Sequence, residues 1–340
     1  MMLSHKAQAM LHKFSAQLAK SHGAPSTRQF FSITPPMDTK LRDAIMHSEA
    51  FLPMINAMTV DNITGQVVAT GNPGLFTGRK KSGRFSREMG NTGNTYKLQE
   101  TDSGSYLSYQ TLTEWANSGS EGEFFQRIQN FSNRSFALDI LRIGFNGTHA
   151  ADDTDPETYP MGEDVNIGWH QIVKERSPEQ IVSDEVVLDR VGTGADFVSL
   201  DAIASDARFS LIAEPFRNHP DLVVLVSPDL IAADTTSMMN RIDRPSEKFA
   251  AQLINREIAG MKAFTPPFMP EGRLIVTTLW NLHLYNQNGT GQRKAEWVDD
   301  RKRFENNYLR MEGYAVEYDE IYAAFDNIKA PDEGESGNGA

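Results

Sequence analysis

The sequence contains no cysteine. Disulfides, thiolate nucleophiles and Cys-ligated zinc or iron–sulfur centres are therefore excluded, and the composition fits a reducing compartment such as cytoplasm. No apolar run approaches the ~20 residues that a membrane-spanning helix needs. No secretory h-region follows the first residues either, so the Asn-x-Ser/Thr sequons at Asn62, Asn130, Asn133, Asn146 and Asn288 carry no weight. Catalytic signatures are missing as well: there is no Gly-x-Ser-x-Gly elbow and no His-Glu-x-x-His helix. Basic charge is in short supply, with 33 Lys and Arg against 45 Asp and Glu and a net charge of −12. Such a surface repels nucleic acid and anionic lipid, so neither is expected to bind through the bulk of the chain.

What remains is ample for a folded protein. The 340 residues are 39% hydrophobic and 9% aromatic, enough for real cores and long enough for two lobes. The first acidic residue is Asp38, whereas Lys6, Lys13, Lys20 and Arg28 precede it. Over the same stretch Leu3, Ala7, Met10, Leu11, Phe14 and Leu18 recur at spacings of three and four, which predicts an amphipathic helix. Gly23 can cap it and Pro25 cannot continue it. An isolated short helix is marginal in water. Its apolar face is expected to meet a partner or another copy, the plainer alternative being that it docks on its own domain.

From Thr59 to Tyr109 Gly, Asn, Ser and Thr dominate, with short β-type runs at 66–70 and 106–109. A segment so poor in large apolar residues cannot form its own core, and two-stranded hairpins are barely stable alone. It reads as a long two-stranded excursion that rests on something else. Ser120 and Glu123 then form a capping box, and Phe124, Ile128, Phe131, Leu138, Leu141 and Phe145 continue at helical spacing to Gly144 and Asn146-Gly147. About 25 residues at 1.5 Å each predict a rod of roughly 37 Å.

Beyond residue 184 helix and strand signals alternate. Ser199 caps a predicted helix that must stop before Pro215. Leu222 to Val226 reads as a buried strand, with Ser227-Pro228 opening a helix. Ser246 should start another helix reaching Gly260. Leu274–Trp280 and Leu282–Tyr285 read as strands before an Asn288-Gly289 turn. Tyr308 to Tyr318 is a last extended run, and the tail from Lys329 has a disordered composition.

Two clusters invite chemistry. Residues 74–82 imitate a phosphate-binding loop, but three residues rather than four separate the glycines, and Arg79 and Lys80 intrude. Arg79, Lys80, Lys81, Arg84 and Arg87 instead make a basic patch on an acidic chain, suited to an acidic surface of another copy. The stretch from 144 to 169 holds Asp152, Asp153, Asp155, Glu157, Glu163 and Asp164, with His149 within it and His170 beside it. Read as a calcium loop from Asp153, it lacks the glycine at position six and the glutamate at position twelve. A metal-dependent hydrolase using His149, Asp153, Asp155 and His170 is the rival reading. No metal, cofactor or catalytic residue is expected, and the acidic stretch reads as a solvated loop.

The order of elements resembles that of tailed-bacteriophage major capsid proteins. GFNG (144–147), PMGEDVNIGWHQ (160–171), HPDLVVLVSPDLIA (219–232), LWNLHLYNQ (279–287) and ENNYLRMEGYAVEYDE (305–320) are similar to the capsid family whose prototype is the temperate coliphage P-two. The resemblance implies an α+β tailed-phage capsid fold. Its divisions are a scaffold-like segment at 1–31, an arm at 32–58 and an extended loop at 59–116. A peripheral domain with the spine helix follows at 117–170, an axial domain at 171–295, returning strands at 296–328 and a tail at 329–340. It also implies hexamers and pentamers of an icosahedral head assembled in the host cytoplasm. The packaged DNA is enclosed without sequence-specific binding, and the expected partners are a scaffold protein or maturation protease and a portal protein. By position, the family's processing cut falls between Phe31 and Ser32. Arg79, Lys80, Lys81, Arg84 and Arg87 are expected to meet Asp152, Asp153 and Asp155 of a neighbour.

Overall fold

A computed structural model describes residues 3–67, 77–86, 94–189, 195–233 and 257–329. The chain opens with α1 (His5–His22), whose Ser4 cap accepts from the Ala7 amide and whose Gly23 closes it at φ 64°. Edge strand β1 (Phe31–Ser32), α2 (Pro35–Met46) and β2 (Asn56–Val60) follow. The excursion begins and ends in β3 (Thr64–Gln66) and β4 (Thr95–Lys97), leading into β5 (Gln99–Ser108). Next come α3 (Tyr109–Asn117), α4 (Glu121–Asn146), α5 (Trp169–Arg176), β6 (Ile181–Val187) and α6 (Leu200–Asp206). The remaining strands are β7 (Leu222–Val226), β8 (Glu257–Ile258), β9 (Met261–Phe264) and β10 (Leu274–Thr278). The chain finishes with β11 (Leu282–Gln287), β12 (Gln292–Val298), β13 (Arg303–Val316) and β14 (Ala323–Lys329).

Two six-stranded sheets organise these elements. One runs β1-β12-β13-β11-β2 with β5 on the other side of β13, and the second runs β6-β14-β10-β7-β9-β8. The long β13 is the backbone of the first sheet. Its residues 303–312 pair antiparallel with the whole of β5, while β12 and then β11 share its opposite edge. Alternation explains the burial: Phe304, Asn306, Tyr308, Arg310 and Glu312 face inward, and the residues between them face out. In the second sheet β7 and β10 are buried on both faces, as their unbroken apolar runs demand.

The 26-residue α4 forms where its capping box predicts, with Ser120 and Glu123 exchanging both bonds. It lies on the inner face of the first sheet, where Phe136, Ile140, Leu141 and Phe145 join Trp169, Tyr308 and Tyr314 in one core. Val223, Leu225 and Ile275 of the second sheet enter the same core, while their neighbours Val224, Val226 and Val276 face another core under α6. Thus β7 and β10 are shared walls.

Several elements differ from the sequence reading, each for a packing reason. Helix α1 does not leave its apolar face for a partner. Ala7, Met10, Leu11, Phe14 and Leu18 pack on Leu112, Phe124, Ile128, Ala295 and Phe304 of the same chain. Tyr109 opens α3 instead of ending a strand, because Ser108 caps that helix. After α6 the backbone widens into a π-helical turn over Ala207–Leu211. Leu279–Asn281 form a 3₁₀ turn that carries the chain from one sheet to the other. The helix expected from Ser246 to Gly260 falls largely outside the described residues. Its last part is extended, since Glu257–Ile258 pair with β9 around Gly260 at φ 72°. Lys329 belongs to β14, and residues 330–340 lie outside the described set.

Candidate assembly surfaces

The acidic stretch is a closed loop, and glycine closes it. The Gly168 amide donates to the Gly147 carbonyl at 3.0 Å, bringing the end of α4 against the start of α5. A Cβ on Gly147 would stand 2.2 Å from the Asn166 carbonyl oxygen, and one on Gly168 would stand 2.5 Å from that of Gly144. Backbone therefore packs directly on backbone, which only glycine permits. Asn166 fastens the loop to the first sheet by donating its Nδ2 to the Glu312 carbonyl at 3.0 Å.

Inside the loop the carboxylates hold the loop itself. Buried Asp164 accepts the Asp155 amide at 2.7 Å, and its carbonyl accepts the Ala151 amide. Asp155 accepts from the Thr158 hydroxyl at 2.6 Å and from the amides of Glu157 and Thr158. These bonds, the Thr158 hydroxyl first, hold the Asp155 carboxyl below its ordinary range. Glu163 accepts the Met161 amide. Asp152 and Asp153 are exposed. Among the described residues no group of three or more acids and histidines could hold a metal.

The two histidines go to different places. His149 is on the surface side, with Nδ1 2.9 Å from the Thr148 hydroxyl and its ring against Tyr159. His170 is buried under α5, its Nδ1 3.0 Å from the Tyr322 hydroxyl and its Nε2 3.0 Å from the Asp326 carboxylate. Asp326 also meets Arg273 Nε at 2.8 Å and Lys174 Nζ at 3.3 Å. Burial lowers the His170 imidazole, an effect that the Asp326 bond offsets only in part. Burial would raise the Asp326 carboxyl, but His170, Arg273 and Lys174 together hold it far below its usual range. Arg273 extends the junction by donating Nη1 to the Phe145 carbonyl near the end of α4. The hydrolase reading needs His149, Asp153, Asp155 and His170 in one site, and the fold does not assemble one.

The basic patch sits on the excursion. Arg79, Lys80, Lys81 and Arg84 are exposed, and none pairs with a carboxylate among the described residues; Arg87 lies outside the described set. The root of the excursion is anchored firmly. Tyr96 packs on Tyr285 with ring centroids 4.6 Å apart, inside a small core with Val67, Leu98 and Ala315. Asn94 Nδ2 donates to the Glu317 carbonyl at 3.1 Å.

Phe31 and Ser32 occupy β1, the outermost strand of the first sheet, paired with Arg293 and Gln292. Phe31 is buried and Ser32 exposed. Residues 10–328 match the phage major capsid protein, P2 family. The chain belongs to that capsid family. It is 29% identical over 327 residues to the capsid protein of Escherichia phage P2, covering 90% of each chain. It is 27% identical over 301 residues to the major capsid protein of Serratia phage KSP20, covering 84% of this chain and 86% of that one. Its fold superimposes on a chain from the satellite phage P4 procapsid, which includes a size determination protein. The TM-score is 0.77 at 26% identity, covering 96% of this chain and 99% of that one.

This capsid protein is a structural subunit of a phage particle and not an enzyme, which agrees with the dispersal of its acid and histidine side chains. The fold is the α+β capsid fold of tailed phages, so the two sheets and α4 are shell architecture. Among the described residues no helix is long and apolar enough to cross a membrane. Two features escaped sequence reasoning. The Asp326 cluster unites residues far apart in sequence with no local motif. The paired glycines 147 and 168 were visible as letters, but their contact spans a loop that no spacing rule measures.

Proposed function

We propose that this capsid protein assembles as hexamers and pentamers of an icosahedral head built in the host cytoplasm and filled with duplex DNA. The observation that carries this is the superposition on a chain of the P4 procapsid, which covers 96% of this chain and 99% of that one. Residues 1–31 act as a scaffold-like segment and are cut off between Phe31 and Ser32 by a scaffold or maturation protease. An edge strand supports that site, because among the described residues β1 pairs with β12 only and lies at the end of the sheet, where it can be peeled into an extended substrate. The portal protein is the further partner. Loss of four basic residues leaves 29 against 45 acidic, a net charge of −16, so the shell repels its packaged DNA and condenses none of it.

The excursion lies over a neighbour, where Arg79, Lys80, Lys81, Arg84 and Arg87 meet Asp152, Asp153 and Asp155. Exposure of Arg79, Lys80, Lys81 and Arg84 and of the three aspartates supports that pairing, as does the lack of a carboxylate partner for those four basic residues among the described residues. Electron microscopy of the expressed chain, alone and with its phage's scaffold and protease, tests assembly. Closed shells or shell fragments are expected; only small soluble oligomers under both conditions would overturn it. Intact-mass measurement of mature particles tests the cut, which fails if Met1 or Met2 remains at the terminus.

A further inference from the structure

Arg293 is the one side chain of β12 that breaks the chemistry of its surroundings. It projects inward beside Ala295, is 7% exposed, and lies where the end of α1 and strand β1 close over the first sheet. Its Nη2 donates to Asn306 Oδ1 at 3.1 Å, and Asn306 is fixed in turn by donating to the Ser132 hydroxyl of α4. Its Nε has no partner. Among the described residues no carboxylate pairs with it. Asp38, a buried acid of α2, is taken by the Tyr308 hydroxyl at 2.7 Å and by Arg42. Burial brings the guanidinium down to about 10, so it is still charged at neutral pH.

The cover over this charge offers no compensation. Phe31 pairs directly with Arg293, and the His22 ring stacks on Phe31 at 5.3 Å. His22 Nδ1 is buried with no partner, and burial together with the Arg293 charge lowers its imidazole. A neutral ring and a phenyl group thus seal an unpaired cation, an arrangement that ordinarily costs stability unless an anion satisfies it. On the sheet side Arg293 is fixed through Asn306, whereas Phe31 and His22 beside it belong to residues 1–31.

We propose that Arg293 is a masked carboxylate-binding residue: the segment ending at Phe31 covers it, and displacement of that segment delivers it to a carboxylate of a second copy. This rests on the reading that residues 1–31 leave during maturation. The buried unpaired charge makes the cover self-limiting, since α1 gains from its apolar contacts while the seal over Arg293 opposes it. Removal of the segment relieves that opposition and exposes a guanidinium whose orientation Asn306 has already set. A carboxylate is the fitting ligand because it can accept from Nε and a terminal nitrogen together.

The full-length protein before assembly tests the mask independently of any cut. Hydrogen exchange of the α1 amides is expected to slow about tenfold in Arg293→Met, where a neutral side chain fills the site, and to stay unchanged in Arg293→Lys. Unchanged or faster exchange in a folded Arg293→Met overturns the mask. Cryo-electron microscopy of shells assembled from the full chain tests the ligand. A neighbour's carboxylate within about 4 Å of the Arg293 guanidinium is expected; a guanidinium that contacts only its own chain, with residues 1–31 gone, overturns it. Particles that keep residues 1–31 refute the maturation reading instead, which the exchange measurement leaves separate.

Discussion

Trp169 occupies the space that any side chain at Gly144 would need. A Cβ there would lie 2.3 Å from the indole, whose Nε1 donates to the His283 carbonyl at 2.8 Å and so cannot retreat. The contact locks the last turn of α4 to the first turn of α5 and both to the first sheet. Gly144→Ala is expected to destabilise the chain by about 1–3 kcal/mol, the usual cost of overpacking a filled core. Urea unfolding of the soluble chain measures it, and an unchanged midpoint would show that the indole can move.

The seat of α1 can be weakened selectively. Phe14 lies 6.0 Å from Phe304 and 5.4 Å from Phe125, in a core separate from those that join the two sheets. Phe14→Ala is expected to cost about 3–5 kcal/mol at that seat. Limited proteolysis should then cut after Lys20 or Arg28 while the two sheets resist. Sheets that are digested at the same rate as α1 would mean that the helix is integral to the fold.

Acid should loosen the molecule through its buried histidines. Burial lowers the His283 imidazole to about 4, and His170 is shifted in the same direction. The folded state therefore binds fewer protons than the unfolded chain below pH ~6.5. The stability from His283 is complete above that pH and drains away as pH falls toward about 4, up to about 3 kcal/mol in all. Glu317, 3.2 Å from His283, works in the opposite sense because burial raises its carboxyl. Thermal unfolding at pH 7 and pH 5.5 should show a smaller drop for His283→Gln than for the parent; equal drops would assign the acid sensitivity elsewhere.

Charge reversal tests the pairing between copies. Replacing Asp152, Asp153 and Asp155 by Lys is expected to weaken assembly at low ionic strength, and replacing Arg79, Lys80, Lys81 and Arg84 by Glu should do the same. Mixing the two variants should restore it, because each then supplies the complement of the other. Light scattering at two salt concentrations reads the outcome. Absence of any effect in either variant would leave both loops as solvated surface.

Local rules reached most of the elements because those elements are stabilised locally. The box at Ser120 and Glu123 is written in adjacent letters, and so is the αL close at Gly23. The seating of α1 was not, because amphipathic spacing reveals an apolar face without naming what covers it. Leu112, Phe124 and Phe304 come together only after α3, α4 and β13 have folded. The family of the protein was legible from the order of its segments. Its interior charges were not: Asp326 and His170 are far apart in sequence and meet only across the junction of the sheets. The acidic stretch shows the same limit in reverse. It reads as a solvated loop, yet Asp164 is buried and both Asp155 and Asp164 accept amides of the loop's own backbone.

The pairing of β5 with β13 has a mechanical consequence. The excursion continues from β5 through β4, so a pull on it is directed along a strand held from Gln99 to Ser108. Hydrogen bonds between antiparallel strands stand perpendicular to that direction. They are loaded side by side in shear, and none can be opened first as the teeth of a zip are. A subunit gripped by its neighbours through this excursion would transmit tension into the broad sheet behind it, as a rivet spreads load across a plate under internal pressure.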